Sequence, residues 1–232
     1  MCTLSYIPIT EKDFIFTTNR DEDPQRIACA PKQYLHEGVA LTFPKDSKAK
    51  GSWIISNSKN VTLCLLNGAF ERHLRKSKYR QSRGLMLLDF FRFSCSKDFI
   101  DNYQFAGIEA FTLVVVENKS ETVLTEIKWD ERELLVKILP NSKAHIWSSA
   151  TLYTAEMRAE REGWFWKWLD GKPHIDPDSV LNFHKTGGAG NLEFGLFMNR
   201  NNHVKTVSIT QIVGGENGHV MRYFDFLKVD QT

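Results

Sequence analysis

The feature that most limits how this chain can fold is a succession of short strand-forming segments over its first two-thirds. CTLSYIPI, FIFTTN, GVALTF, SWIISNS, VTLCLLN, FTLVVVEN, ETVLTEIKW, ELLVKILP and AHIWSS are each rich in β-branched or aromatic residues and are separated by turn-forming residues. Three stretches break the rhythm. RGLMLLDFFRF (83 to 93) has the density and length of a buried helix, and TLYTAEMRAEREGWFWKWLDG (151 to 171) reads as a long helix ending at Gly171. DPDSVLNFHKTGG (176 to 188) opens on Asp176 and Pro177 and closes on glycines, as a capped helix does. Strands resume with FGLFMN, VKTVSITQIV and HVMRYFDFL. Strands, then helices, then strands predict antiparallel sheets layered with helices, an α+β fold. With no repeat or linker and 42% hydrophobic residues, residues 1–232 are expected to form one domain with a substantial core.

Charge and cysteine usage narrow the function classes. The 30 basic and 28 acidic residues nearly cancel, so the total demands neither nucleic acid nor an acidic membrane, and an electrostatic partner must be read locally. Cys2, Cys29, Cys64 and Cys95 are too sparse for a disulfide scaffold and form no C-x-x-C pair, which fits a reducing compartment and gives no structural zinc site. The apolar runs are too short to span a bilayer, and Glu11, Lys12 and Asp13 interrupt any signal-peptide core. A cytoplasmic protein without stable membrane insertion is expected.

The first two strands carry the chemistry. A polar turn at Thr10 to Asp13 makes CTLSYIPI and FIFTTNRD a hairpin. Centring the turn between Glu11 and Lys12 sets Cys2 opposite Asp21 and Leu4 opposite Asn19, with Arg20 on the other face; a one-residue slip inverts every assignment. A small second residue permits removal of Met1, and the freed α-amine of Cys2 would titrate near pH 7.7–8.0. Thiol and base then sit on one residue, the N-terminal-nucleophile way of activating a weak nucleophile. Asp21 would orient the amine, and Arg20 or Asn19 would position the reacting groups.

Met1-Cys2, NRDE at 19 to 22 with Arg26 after it, Gly51 and Trp53 in KGSWII, Asn67 in CLLNGA and SRGLM at 82 to 86 together resemble the NRDE family, also called the Transport and Golgi organisation protein two family. The specific motifs lie in the first 86 residues. The resemblance implies the four-layer αββα fold of N-terminal-nucleophile hydrolases, whose choloylglycine hydrolase and penicillin acylase relatives cleave amide bonds with an N-terminal Cys. It implies Cys2 as nucleophile, Asp21 as its partner and Asn67 as an oxyanion donor. Asn19, Glu22, Arg26, Trp53 and Ser149 would contact the ligand. The sequence departs from the choloylglycine pattern at Thr18, where an Arg is usual, and at Ser149 in HIWSSA, where an Asn is usual; GGAGNLEF offers Asn191 where a late Arg would be sought. The family is also linked to haem and to acyl-CoA, so a carrier of haem or an acyl ligand stands as the alternative to hydrolysis of an amide or acyl bond in a small apolar molecule, and a scaffold is the third reading. No cofactor is required by the hydrolytic reading; haem, ligated by Cys2, belongs to the carrier.

Three further clusters have bland explanations. ERHLRKSKYRQSR (71 to 83) gathers Arg72, Arg75, Lys76, Lys78, Arg80 and Arg83, which reads first as a solvated loop and second as a phosphate-capturing one. Trp164 and Trp168 share a helical face with Phe165 beside them and Trp166 turned away, which reads first as helix-to-sheet packing and second as an aromatic wall for an apolar ligand. The seven histidines show no metal-ligand spacing, and no RNP-type motif points to nucleic acid.

Overall fold

The computed structural model describes residues 3–172, 174–216 and 218–227. Cys2, and with it the pairing expected for it, lies outside the described residues. Two antiparallel sheets face each other. The first joins β1 (Thr3–Pro8), β2 (Phe14–Glu22), β10 (His145–Ser148), β11 (Asn199–Arg200), β12 (Val204–Gly215) and β13 (Gly218–Asp225), in the order β10-β1-β2-β12-β11, with β13 also on β12. The second runs β3 (Ala28–His36), β4 (Val39–Asp46), β5 (Ile54–Asn57), β6 (Val61–Asn67), β7 (Phe111–Asn118), β8 (Thr122–Trp129) and β9 (Leu134–Leu139) in chain order.

Alternation along each strand sorts the apolar residues into three cores. Leu4, Phe14, Phe16, Trp53, Cys64, Leu66, Val114 and Ile212 fill the space between the sheets. Leu63, Leu65, Leu113 and Val115 turn to the other face of the seven-stranded sheet, where α1 (Arg83–Asp89) and α2 (Ser96–Asn102) cover them. Ile7 and Ile15 turn outward from the six-stranded sheet onto Phe165, Val180 and Phe183 of α3 (Ala155–Asp170) and α4 (Pro177–Thr186). The layers are therefore helix, sheet, sheet, helix, the αββα sandwich that the resemblance implies.

Local differences from the sequence reading have local causes. The helix expected over 83–93 ends at Asp89 and tightens into a 3-10 turn at Phe90–Arg92; α2 follows, capped by the Cys95 thiol. β3 carries Pro31 and a bulge between Cys29 and Lys32 on a largely exposed edge, so it lacks the alternation that marks a strand. FGLFMN is irregular up to the short β11, and α3 starts at Ala155, where the Thr154 hydroxyl caps it, not at Thr151. Trp164 stacks on Phe194 and Trp168 on Phe183, so the tryptophan cluster is packing.

The hairpin register differs by one residue from expectation. Thr3 pairs with Asn19, Leu4 with Thr18 and Pro8 with Phe14, which centres the turn on Glu11. The odd-numbered turn is held by Ile9 and Thr10 amides donating to the Asp13 carbonyl at 2.8 and 3.1 Å. Leu4 thus opposes Thr18 and not Asn19, and the register argument that set Cys2 across from Asp21 no longer holds.

Candidate functional site

The last residues of β2 divide between two environments because successive side chains face opposite ways. Asn19 and Asp21 turn toward α3 and α4, whereas Arg20 turns into the space between the sheets. Opposite them a bulge at Val207 separates Thr206, paired with Asp21, from Ser208, paired with Arg20. An extra residue of this kind re-aims side chains and recurs beside functional sites.

On the inter-sheet side a cleft of about 830 Å³ opens at the ends of β2 and β6. Arg20, Glu22, Arg26, Asp46, Trp53 and Asn67 line its inner part. Arg75, Lys76, Tyr79, Arg80, Arg83 and Glu109 line its rim. Arg20 is 3% exposed and fully engaged: Nη1 donates to the Arg26 carbonyl at 2.9 Å, Nη2 donates to Asp46 Oδ2 at 3.1 Å, and the guanidinium lies 4.7 Å from the centre of the Trp53 ring. Arg26 Nε stands 2.8 Å from the same Asp46 oxygen, and Arg26 Nη1 donates to Glu22 at 2.9 Å. Asp46 Oδ1 accepts the amides of Lys48 and Ala49 at 3.0 and 2.7 Å. Burial pushes the Asp46 carboxyl up, but the Ala49 amide and the Arg26 and Arg20 guanidinium groups outweigh it and hold the group below the usual carboxylate range.

Asp46 was missed in the sequence. The only signal was an aspartate opening a short polar turn, DSKAKG, whose amides it caps.

Gly51 and Gly84 form the floor where two backbones cross. The Ser52 amide donates to the Gly84 carbonyl at 3.2 Å, and a Cβ on Gly84 would stand 2.8 Å from the Ser52 carbonyl oxygen. The KGSW and SRGL stretches are therefore bound together by a contact that only glycine permits.

Asn67 ends β6, and its successor Gly68 adopts φ +81. The Asn67-Gly68 pair makes no tight hairpin, because residues 68–110 run outside the sheet before β7 pairs with β6. Ser149, 1% exposed, lies behind Asn67 and donates to its carbonyl at 2.8 Å. The side-chain amide of Asn67 has no hydrogen-bond partner among the described residues, and neither does the buried indole N–H of Trp53. The Asn67 amide is thus an uncommitted donor at the cleft, whereas the Trp53 N–H is enclosed between the sheets.

The segment at 71–83 is not the free loop that the sequence reading favoured. Arg83 Nη2 and Arg75 Nε approach Glu109 at 3.2 and 3.6 Å, Arg83 Nη1 donates to the Ala110 carbonyl at 2.8 Å, and Lys76 pairs with Glu131, which accepts from Tyr79 at 2.8 Å. These bonds strap the segment across the mouth of the cleft.

The other side of β2 is sealed. Asp21, 4% exposed, accepts from Tyr153 at 2.7 Å and from Thr206 at 2.6 Å. Arg161, with no exposure, lies 4.0 Å from the centre of the Tyr153 ring and donates to Thr3 Oγ1, to Ser148 Oγ at 3.0 Å and to the carbonyls of Phe194 and Gly195. Asn19 Nδ2 donates to the carbonyls of His184 and Leu196 at 3.0 and 2.8 Å, so its Oδ1 accepts from His184 Nδ1. That fixes the tautomer: His184 Nε2 accepts from the Ser5 hydroxyl at 2.7 Å. Ser5, His184 and Asn19 repeat the bonding order of a hydrolytic triad, yet all three have no exposure, so no substrate reaches them. Burial, with Arg161 adding to it, lowers the His184 pKa to about 3. Asn19 is a tie between β2 and α4 and does not line the cleft.

The described cysteines offer no nucleophile there. Cys64 is enclosed between the sheets, where burial pushes its thiol up to about 12. Cys29 is exposed with Ser47 Oγ 3.8 Å away, and Cys95 caps α2. Among the described residues no cluster of three or more His, Cys, Asp or Glu could hold a metal ion, and no helix is long and apolar enough to cross a membrane.

Known structures share this architecture. An N-acylethanolamine-hydrolyzing acid amidase orthologue from Caenorhabditis elegans is similar at 15% identity and a TM-score of 0.51, covering 91% of this chain and 92% of its own. The C2A mutant of the conjugated bile acid hydrolase from Clostridium perfringens is similar at 11% identity and 0.55, covering 98% and 93%. Penicillin V acylase from Agrobacterium tumefaciens is similar at 8% identity and 0.53, covering 98% and 87%. At such identities the likeness establishes the N-terminal-nucleophile hydrolase fold and leaves activity to the site. No curated protein sequence matches the chain. The model of the Transport and Golgi organisation 2 family matches residues 1–176, which takes in NRDE, the glycine crossing and Asn67, and the chain belongs to that family.

Proposed function

We propose that this chain hydrolyses an amide or related acyl bond of a small molecule, with Cys2 as nucleophile. The observation that carries the reading is the cleft itself. It opens beside the buried strand end at Thr3, Arg20 and Asp21, and it presents an uncommitted donor, the Asn67 amide. Once Met1 is removed, the α-amine of Cys2 accepts the thiol proton and Sγ attacks the carbonyl carbon. Asn67 Nδ2 donates to the developing oxyanion. The amine then returns the proton to the leaving group as the carbon–nitrogen bond breaks, and water attacking the thioester releases the acid and restores the thiol. Arg20, immobilised by Asp46, the Arg26 carbonyl and Trp53, supplies fixed positive charge on the cleft side. Asp21, held by Tyr153 and Thr206 on the far side of the strand, keeps the strand end in place.

The corrected register shapes this proposal. Arg20 is the β2 residue that lines the cleft together with Asn67, while Asp21, on the other face of the strand, keeps the role of orienting the Cys2 amine. The lining is also too charged for a wholly apolar substrate, and a molecule with a polar or anionic end suits it better than the sequence reading did. A carrier of haem is a weaker fit, since no histidine lines the cleft among the described residues and His73 Nε2 is turned to Glu109 at 3.3 Å. An axial ligand would fall to Cys2 alone.

The test combines intact mass of untagged protein with turnover of a panel of N-acyl amides and thioesters. Loss of Met1, turnover by the native protein and no turnover by a folded Cys2→Ala variant are the expected results. Retained Met1, or a Cys2→Ala variant as active as the native chain, ends the proposal.

A further inference from the structure

The strap across the cleft has an outer surface that the hydrolytic reading does not use. Leu74, at its tip, is 95% exposed, and Phe70, at its start, is 42% exposed. A large apolar side chain held almost wholly in water, with a second near it in sequence, departs from the scattered partial exposure of an ordinary surface. Both are surrounded by cations. Arg72 and Lys78 flank Leu74 and are exposed, with no ion-pair partner among the described residues. Lys128 Nζ lies 5.5 Å from the centre of the Phe70 ring, and Arg158 donates to the Phe70 carbonyl at 2.8 Å.

Charge bookkeeping selects the partner. Residues 71–83 carry six basic side chains against one carboxylate, Glu71. Glu109 and Glu131 are the carboxylates that the strap's cations reach, so a surplus of three positive charges remains. An apolar tip, Leu74, flanked by the unpaired cations Arg72 and Lys78 matches an interface whose outer layer is anionic and whose interior is apolar. A nucleic acid would use the cations and leave Leu74 in water, and a lipid surface meets both features without a pocket shaped to receive Leu74.

We infer that the 70–78 face of the strap is a peripheral docking surface for anionic lipid, with Leu74 entering the headgroup boundary and Arg72 and Lys78 meeting lipid phosphates or carboxylates. The inference stands whether or not Cys2 hydrolyses anything. Because Arg75, Lys76 and Tyr79 of the same strap line the cleft, docking would set the cleft mouth against the lipid surface.

Vesicle co-sedimentation of the full chain tests it, using phosphatidylcholine vesicles with and without 30% phosphatidylserine at about 50 mM and about 200 mM salt. The expected result is binding to the anionic vesicles alone, weakened at the higher salt because the Debye length shortens. Each basic residue at such a surface contributes about fivefold in affinity, so Arg72→Glu/Lys78→Glu should reduce binding by at least about 25-fold. Leu74→Ser should reduce it several-fold without changing the salt dependence. All three positions are exposed, and unchanged unfolding midpoints would show that the variants fold. Equal sedimentation with both vesicle types overturns the inference. So does a charge-reversed variant that binds like the native chain. If charge reversal abolishes binding while Leu74→Ser has no effect, the surface is a plain cation patch and the inference also fails.

Discussion

The two faces of β2 hold similar residues and do different work. On the helix side, Ser5, Asn19, His184, Asp21, Tyr153 and Arg161 form closed polar chains with almost no exposure. On the cleft side, Arg20, Arg26 and Asp46 form an equally dense set, beside which the Asn67 amide remains without a partner among the described residues. Bonding order alone does not make a site, as Ser5–His184–Asn19 shows. What separates the faces is whether donors remain unspent where a ligand can come. A closed polar chain stabilises only while every member is paired. An open one can lose a member at less cost to the fold and more to chemistry.

The sharpest way to break this comparison is Arg161. Arg161→Met keeps much of the side-chain volume but leaves Thr3 Oγ1, Ser148 Oγ and the carbonyls of Phe194 and Gly195 without their donor. Several buried groups unpaired at about 1–3 kcal/mol each predict a loss of about 4 kcal/mol, read as a lower urea midpoint. A loss below about 1 kcal/mol would mean that this side is not the structural one.

Acid provides the second test. The folded pKa of His184 lies near 3 against 6.5 unfolded, so the unfolded chain binds the proton more readily. The contribution to stability is full above pH 6.5 and is lost as pH falls from 6.5 toward 3, at up to about 1.4 kcal/mol per pH unit. His219, lowered to about 4 by burial against Phe14, adds a loss of the same sign over a narrower range. His184→Gln should lower stability at neutral pH and flatten the acid slope without abolishing it. A native chain whose unfolding free energy is level from pH 6.5 to 4 would contradict the sealed histidine.

Much of this arrangement was legible in the sequence, for identifiable reasons. The short, nearly continuous apolar and β-branched runs VTLCLLN and FTLVVVEN expose doubly buried strands to reading, and Asp176 with Pro177 announces α4. The glycines of KGSW and SRGL are visible as motifs, although only the structure shows their backbones crossing. The hairpin register could not be fixed, because TEKD permits both an even and an odd turn and the choice rests on amides bonding to the Asp13 carbonyl. Arg161 and His184 escaped notice because their partners include Thr3, Phe194 and Gly195 for the one and Ser5 and Asn19 for the other, and the Asp46–Arg20 pair likewise joins separate strands, relations no local pattern records. The strap was misjudged for the same reason: Glu109 and Glu131, which hold it down, follow long after it.

Asn67 gives the smallest effect on stability and the finest discrimination between the faces. Its amide is half-buried with no partner among the described residues, so Asn67→Ala leaves no buried group unsatisfied and should change stability by less than about 0.5 kcal/mol. If the amide serves the oxyanion, the same substitution should reduce kcat by about 10²–10³-fold with little change in KM, since the bond strengthens only as charge develops. Ser149→Ala is the companion measurement. It removes the hydroxyl behind the Asn67 carbonyl but not the amide, and should cost about 1 kcal/mol of stability and a smaller share of kcat. An Asn67→Ala protein with normal turnover would remove the oxyanion role. One that loses several kcal/mol would move Asn67 to the structural side of the comparison.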